Sequence, residues 1–100
     1  MKLGILINTD KHATEVVELT KSASSKGHEV MLFMMDDGVK LLRNSSTTNL
    51  HKIRGVSVSF CQYSTHILGV STKGLSKEVV AGSQYDNAVM NGEADRVIVL

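Results

Sequence analysis

The chain has 100 residues, 42% hydrophobic and 21% charged, with a formal net charge of +1. That length suits one domain, residues 1–100, and is too short for two; the balance is globular rather than disordered. No stripe of Lys or Arg occurs and only two Tyr and two Phe could stack on bases, so nucleic acid is not an expected partner, and no run approaches the ~20 apolar residues of a membrane span.

A domain of this size buries about two-thirds of the surface its unfolded chain exposes, so self-association is an expected source of further stability. The opening MKLGILIN sets one lysine before an apolar run. The run is too short for a secretory leader, and Asn8-Thr9-Asp10-Lys11 follows without a small-residue cleavage site. A cytoplasmic protein is the expectation, and a single cysteine, unable to form an internal disulfide, agrees with a reducing compartment. Proline is absent, so turns fall to Gly, Asn, Asp and Ser.

Leu3 to Ile7 is apolar apart from Gly4 and reads as a strand buried on both faces. Asn8-Thr9-Asp10 offers turn and N-cap chemistry. Ala13, Val16, Val17, Thr20 and Ala23 then recur at helical spacing, and Gly27 closes the helix. Glu29 to Met35 is a second strand, ending at Asp36-Asp37-Gly38. Strand, helix and strand in about 35 residues make one βαβ unit with a right-handed crossover. A second helix is expected from Gly38 or Val39 through Leu41, Leu42 and Arg43. Asn44 to Asn49 has no apolar anchor and reads as an exposed, flexible loop. Leu50 to Arg54 is ambiguous between loop and one helical turn.

After Gly55, Val56-Ser57-Val58-Ser59-Phe60 alternates strictly, the mark of a strand. Cys61 follows at once, then a short helical segment, Gln62 to Leu68, stopped by Gly69. Val79-Val80-Ala81 is a brief strand ending at Gly82. Ser83 or Asp86 can cap a last helix with an apolar stripe of Tyr85, Ala88, Val89 and Gly92, and Val97 to Leu100 is the final strand. Five strands alternating with helices predict an α/β fold, a mostly parallel sheet with helices on both faces. Chemistry in such sheets sits beyond the carboxyl ends of the strands. Three segments should converge there: Asn8 to Lys11, Met35 to Gly38, and Cys61 to Ser64.

Cys61 is the one residue with nucleophilic chemistry in this setting. Free backbone N–H groups at a helix start favour thiolate over thiol, and the thiolate is the species that attacks sulfur. It could take sulfane sulfur from a donor and hold it as a persulfide. With no second cysteine, a thiol from outside the chain must remove that sulfur. The bland alternative is a small buried hydrophobe. Ser64, three residues on, could cap the helix or donate to the thiolate. Asp36 and Asp37 could bind a cation or orient a partner thiol, or simply form an acidic turn with Gly38. His66, five residues past Cys61, falls off its helical face. His12, His28, His51 and His66 lack metal-ligand spacing, and neither a dinucleotide fingerprint nor a P-loop occurs. No metal and no cofactor are expected.

Four stretches, in order, resemble one known family. They are Gly55-Val-Ser-Val-Ser-Phe-Cys61 with Gly69-Val70; Gly27-His-Glu-Val through Phe33 with Asp37-Gly38-Val39; Val80-Ala81-Gly82; and Ala94-Asp95-Arg96-Val97-Ile98. The chain resembles the DsrE/DsrF-like family of TusD/YchN-type sulfur-relay proteins. The resemblance implies a three-layer α/β/α sandwich around a five-stranded sheet, and homo-oligomers, commonly dimers, trimers or hexamers. It further implies a sulfur carrier or sulfurtransferase role between donor and acceptor proteins, with Cys61 as the persulfide-bearing residue; Asp37, Gly38 and Ser64, from their positions at the converging strand ends, are the candidate binding residues beside it. Two other roles are consistent with the residues: a non-catalytic assembly subunit of the same fold, and a small-molecule binding module using the strand-end crevice.

Overall fold

The computed structural model describes residues 1–100. Strand β1 (Lys2–Ile7) leads into helix α1 (Ala13–Ser25) and strand β2 (Glu29–Met34). A 3₁₀ helix (Asp36–Arg43), a single turn α2 (Ser45–Thr48) and a second 3₁₀ turn (Asn49–Lys52) lead to strand β3 (Val56–Cys61). Helix α3 (Gln62–Leu68), strand β4 (Val79–Gly82), helix α4 (Gln84–Glu93) and strand β5 (Arg96–Val99) complete the chain. All five strands are parallel, in the order β4-β3-β2-β1-β5. The βαβ start and the α/β fold expected from the sequence are thus present.

The period of two along each strand sorts the sheet into two unequal faces. One face carries Leu3, Ile5, Ile7, Val30, Leu32, Met34, Val56, Val58 and Phe60 and packs against Val16 of α1, Val39, Leu41 and Leu42 of the first 3₁₀ helix, and Leu50. Ile5, Ile7, Val16, Val30 and Val39 are wholly buried, each contributing about 1.5–3 kcal/mol of transfer free energy. The other face has a much smaller cluster, Phe33, Cys61 and Met90, under the single helix α4. The chirality of parallel crossovers accounts for this. The connections from β1 to β4 all step the same way and fall on one side, while the return from β4 to β5 crosses on the other.

Three local expectations are corrected. Asn8-Thr9-Asp10 supplies no cap for α1; His12 occupies that position without a side-chain hydrogen bond. Asn44 to Asn49 is not an exposed loop. The Asn44 side chain accepts from the Ser46 N–H at 2.9 Å and starts α2, and Thr47 is wholly buried. The stripe Tyr85, Ala88, Val89, Gly92 does not face the sheet: all four are exposed, and α4 buries Met90 instead. Ser83 and Asp86, by contrast, both cap α4. Ser83 Oγ accepts from the Tyr85 N–H at 3.2 Å, and the Asp86 carboxylate accepts from the Ser83 N–H at 2.7 Å.

Candidate functional site

Parallel pairing in register aligns the strand ends: Ile7 with Met34, Met34 with Phe60, and Cys61 with Gly82. Cys61 is therefore both the last residue of β3 and the N-cap residue of α3. The alternation through Phe60 directs Cys61 to the thinly covered face, where it touches Phe33 and Met90. α3 ends after two turns because Gly69 adopts φ +65°, with Val70 N–H bonded to Thr65 O and Gly69 N–H to His66 O. This Schellman closure turns Val70 to Thr72 back along the site as a wall.

The result is an open cleft of about 980 Å³. α3 and the Val70–Thr72 segment form one side, Ala81–Gln84 the other, and Met35 and Asp36 the end, with Cys61 on the lining. Cys61 itself exposes only 3% of its surface, so a reagent must enter the cleft to reach it. The lining is rich in hydroxyl and amide groups and contains no Lys or Arg. Gly82 leaves room for the cap of α4. A Cβ there would fall 2.5 Å from the Asp86 carboxylate that caps α4.

Burial alone would raise the thiol pKa, since a thiolate loses hydration there. Four donors outweigh it: the Ser64 hydroxyl and N–H, the Gln84 side chain and the Tyr63 N–H. They hold the Cys61 pKa below its ordinary 9.0. The thiol forms no cap hydrogen bond of its own; these groups favour the charged form.

Ser64, 7% exposed, also spans two segments. Its Oγ accepts from the Asp36 N–H at 3.0 Å, leaving its single O–H free to point at the sulfur. Asp36 has φ +50°, a left-handed conformation that Asp tolerates better than most residues but still at a cost. The bond to Ser64 holds that turn in place. Ser64 therefore joins the end of β2 to the thiol rather than capping α3.

The other sequence-predicted residues lie nearby but do not touch Cys61. Asp37 is exposed, pairs with Lys40 at 3.1 Å, and borders a smaller hollow with Asp36, Tyr63, Ser64, Ile67 and Leu68. Gly38 is packed under β1; a Cβ there would lie 2.0 Å from the Ile7 carbonyl oxygen, so glycine is required for the turn to close. His66 lines the cleft wall but is not among the groups acting on the thiol. The loop Asn8 to Lys11 contributes nothing to the cleft. Gln84 was not foreseeable from sequence spacing, because β4 pairing brings it to Cys61 from 23 positions away.

No three or more His, Cys, Asp and Glu side chains are grouped to hold a metal ion, and no helix is long and apolar enough to cross a membrane. The profile of the DsrE/DsrF-like family matches residues 1–100. No curated protein sequence matches the chain closely. Solved structures that share the fold include the following three. The YchN protein of E. coli is 21% identical with a TM-score of 0.71, covering 100% of both chains. A protein of unknown function from Methanobacterium thermoautotrophicum is 18% identical with a TM-score of 0.69, covering 99% of this chain and 98% of that one. Another from Bacteroides thetaiotaomicron is 16% identical with a TM-score of 0.72, covering 99% and 94%.

Proposed function

The chain belongs to the DsrE/DsrF-like family, and from that premise we propose that it is a sulfur carrier or sulfurtransferase subunit using Cys61. In the first step the Cys61 thiolate attacks the outer sulfur of a donor persulfide. The donor S–S bond breaks, its electron pair leaves on the donor thiolate, and Cys61 becomes Cys–S–SH. In the second, an acceptor thiolate attacks that outer sulfur and Cys61 departs as thiolate. Both steps are exchanges without net oxidation.

The observation that carries this reading is a lone cysteine at a strand end and helix start, lining an open cleft together with Ser64 and Gln84, groups that lower its pKa. They favour the ionised form that attacks and make it a better leaving group afterwards. Ser64 is the positioning residue in this scheme. Asp37, beside the exposed Tyr63 and Ile67, serves partner docking, and Gly38 sets the turn that carries Asp36. Donor and acceptor are thiol proteins, the chain self-associates, and its place is the cytoplasm, where an unpaired thiol stays reduced.

The test is intact mass after incubation with glutathione persulfide. Wild type should gain one sulfur atom, about 32 Da, removable by a thiol reductant, and Cys61→Ser should not. An unmodified wild type with excess donor would sink the proposal. One observation favours a second reading, an assembly subunit with an inert cysteine: the 3% exposure of Cys61. That reading requires thiol probes to label the native chain slowly and the denatured chain fast.

A further inference from the structure

We propose that Asn87 and Asn91 are positioning residues: through a one-way ladder of amides along α4 they hold the Gln84 side chain with its NH2 group toward Cys61. The two ends of a carboxamide differ little in size, so packing does not choose between them; hydrogen-bond polarity does. Here the polarity is set at the far end. Asn91 Nδ2 donates to the Asn87 backbone carbonyl at 2.7 Å and to Asn87 Oδ1 at 2.9 Å. A backbone carbonyl only accepts, so the Asn91 group facing it is the NH2. Asn87 Oδ1 is thereby fixed as an acceptor, and the Asn87 NH2 becomes the outgoing donor, reaching Gln84 Oε1 at 3.1 Å. With its oxygen so engaged, Gln84 presents Nε2 to the sulfurs, donating to Met35 Sδ at 3.8 Å.

The ladder ends at the reactive centre. Positions 84, 87 and 91 fall at i, i+3 and i+7, on one side of a helix, and Gln84 and Met35 line the cleft together with Cys61. One hydrogen of the Gln84 NH2 serves Met35; the other is left for the thiolate, and Gln84 is one of the groups that favour the charged form. Gln84 is itself exposed, so without the ladder water could turn its amide either way. Reversed, it would set a carbonyl oxygen against the thiolate and penalise ionisation. Three amides donating in the same direction also polarise one another. The other titratable side chains lining the cleft are Asp36, Tyr63 and His66, and none of them belongs to the ladder.

This inference rests on Cys61 being the working thiol, but its test reads ionisation rather than sulfur transfer. A chain that gains no sulfur can still pass it, and a chain that gains sulfur can fail it. Alkylation by iodoacetamide, an uncharged reagent, compares Asn87→Asp in two backgrounds, wild type and Gln84→Ala. Asp at 87 can still accept from Asn91 but has no hydrogen for Gln84 Oε1, and it draws the Gln84 NH2 away from the sulfurs. Alone, it should slow the reaction roughly twofold at pH 6 and speed it roughly twofold where the thiol is fully ionised, since a more basic thiolate is the better nucleophile. In Gln84→Ala it should change neither rate. Asn87→Leu, which removes the same bond without adding charge, must likewise act only where Gln84 is present; circular dichroism checks the fold of each variant. An equal effect of Asn87→Asp in both backgrounds would mean that charge acts through space or that the helix is disturbed, and would overturn the proposal. So would unchanged rates in the wild-type background, or slower reaction at both ends of the pH range.

Discussion

Ser64→Ala should change the reactivity of Cys61 in opposite directions at low and high pH. The hydroxyl is one of four donors favouring the thiolate, and a hydrogen bond to a charged group contributes about 1.5–3 kcal/mol. With three donors left, the low end applies, about 1.5 kcal/mol, or a roughly tenfold smaller thiolate fraction at pH 6. A more basic thiolate is also a better nucleophile, by about threefold for that change at a Brønsted slope near 0.5. The net expectation at pH 6 is alkylation by iodoacetamide roughly three- to fourfold slower than wild type. At a pH where both thiols are fully ionised, the variant should react about threefold faster. Slower reaction at both ends would mean that Ser64 controls access to the cleft rather than charge on the sulfur. Equal rates at both ends would mean that its hydroxyl does not reach the thiolate. Either result refutes the role assigned to it.

Cys61 should also make stability depend on pH. Its folded pKa lies below the ordinary 9.0, so the unfolded chain binds more protons between the two values. Stability then rises with pH across that window, is complete above the unfolded value, and is lost as pH falls through the folded one. The difference in urea midpoint between wild type and Cys61→Ser should grow from pH 6 to pH 10; a flat difference contradicts the shift. Gly38→Ala should destabilise by about 3 kcal/mol or more in urea unfolding, since overpacking here presses on backbone rather than on a movable side chain. A loss under about 1 kcal/mol would show that the turn can open. Thr47→Val should raise stability by about 1 kcal/mol, because the wholly buried Thr47 Oγ1 has no hydrogen-bond partner; a lower melting temperature would reveal a partner, such as a buried water.

What could be read from the residues, and what could not, follows from the range of the interactions. The alternation Val56, Val58, Phe60 places β3 and so sets Cys61 at a strand end, because a period of two is a local property. The capping of α4 by Ser83 and Asp86 is local as well. The turn at Ser45–Thr48 escaped because Asn44 to Asn49 looks polar throughout, yet Thr47 packs inward and Asn44 caps. Periodicity correctly marks a stripe on α4 but says nothing about which side meets the sheet. The partners of the thiol divide the same way. Ser64 is three residues away and was a candidate, whereas Gln84 arrives only through the pairing of β4 with β3. The bond between Ser64 and the Asp36 N–H depends on a single positive φ, which no composition rule singles out for an aspartate.

The uneven coverage of the sheet divides the molecule into a thick half and a thin one. Sixteen buried residues form the cluster on one side, against three on the side that holds the sulfur. Amide exchange should reflect this, with α4 and β5 opening through partial unfolding at lower free energy than β1, β2 and α1. On the function proposed above, a sulfur held in the less cooperative half can loosen for a visiting protein without melting the scaffold beneath it.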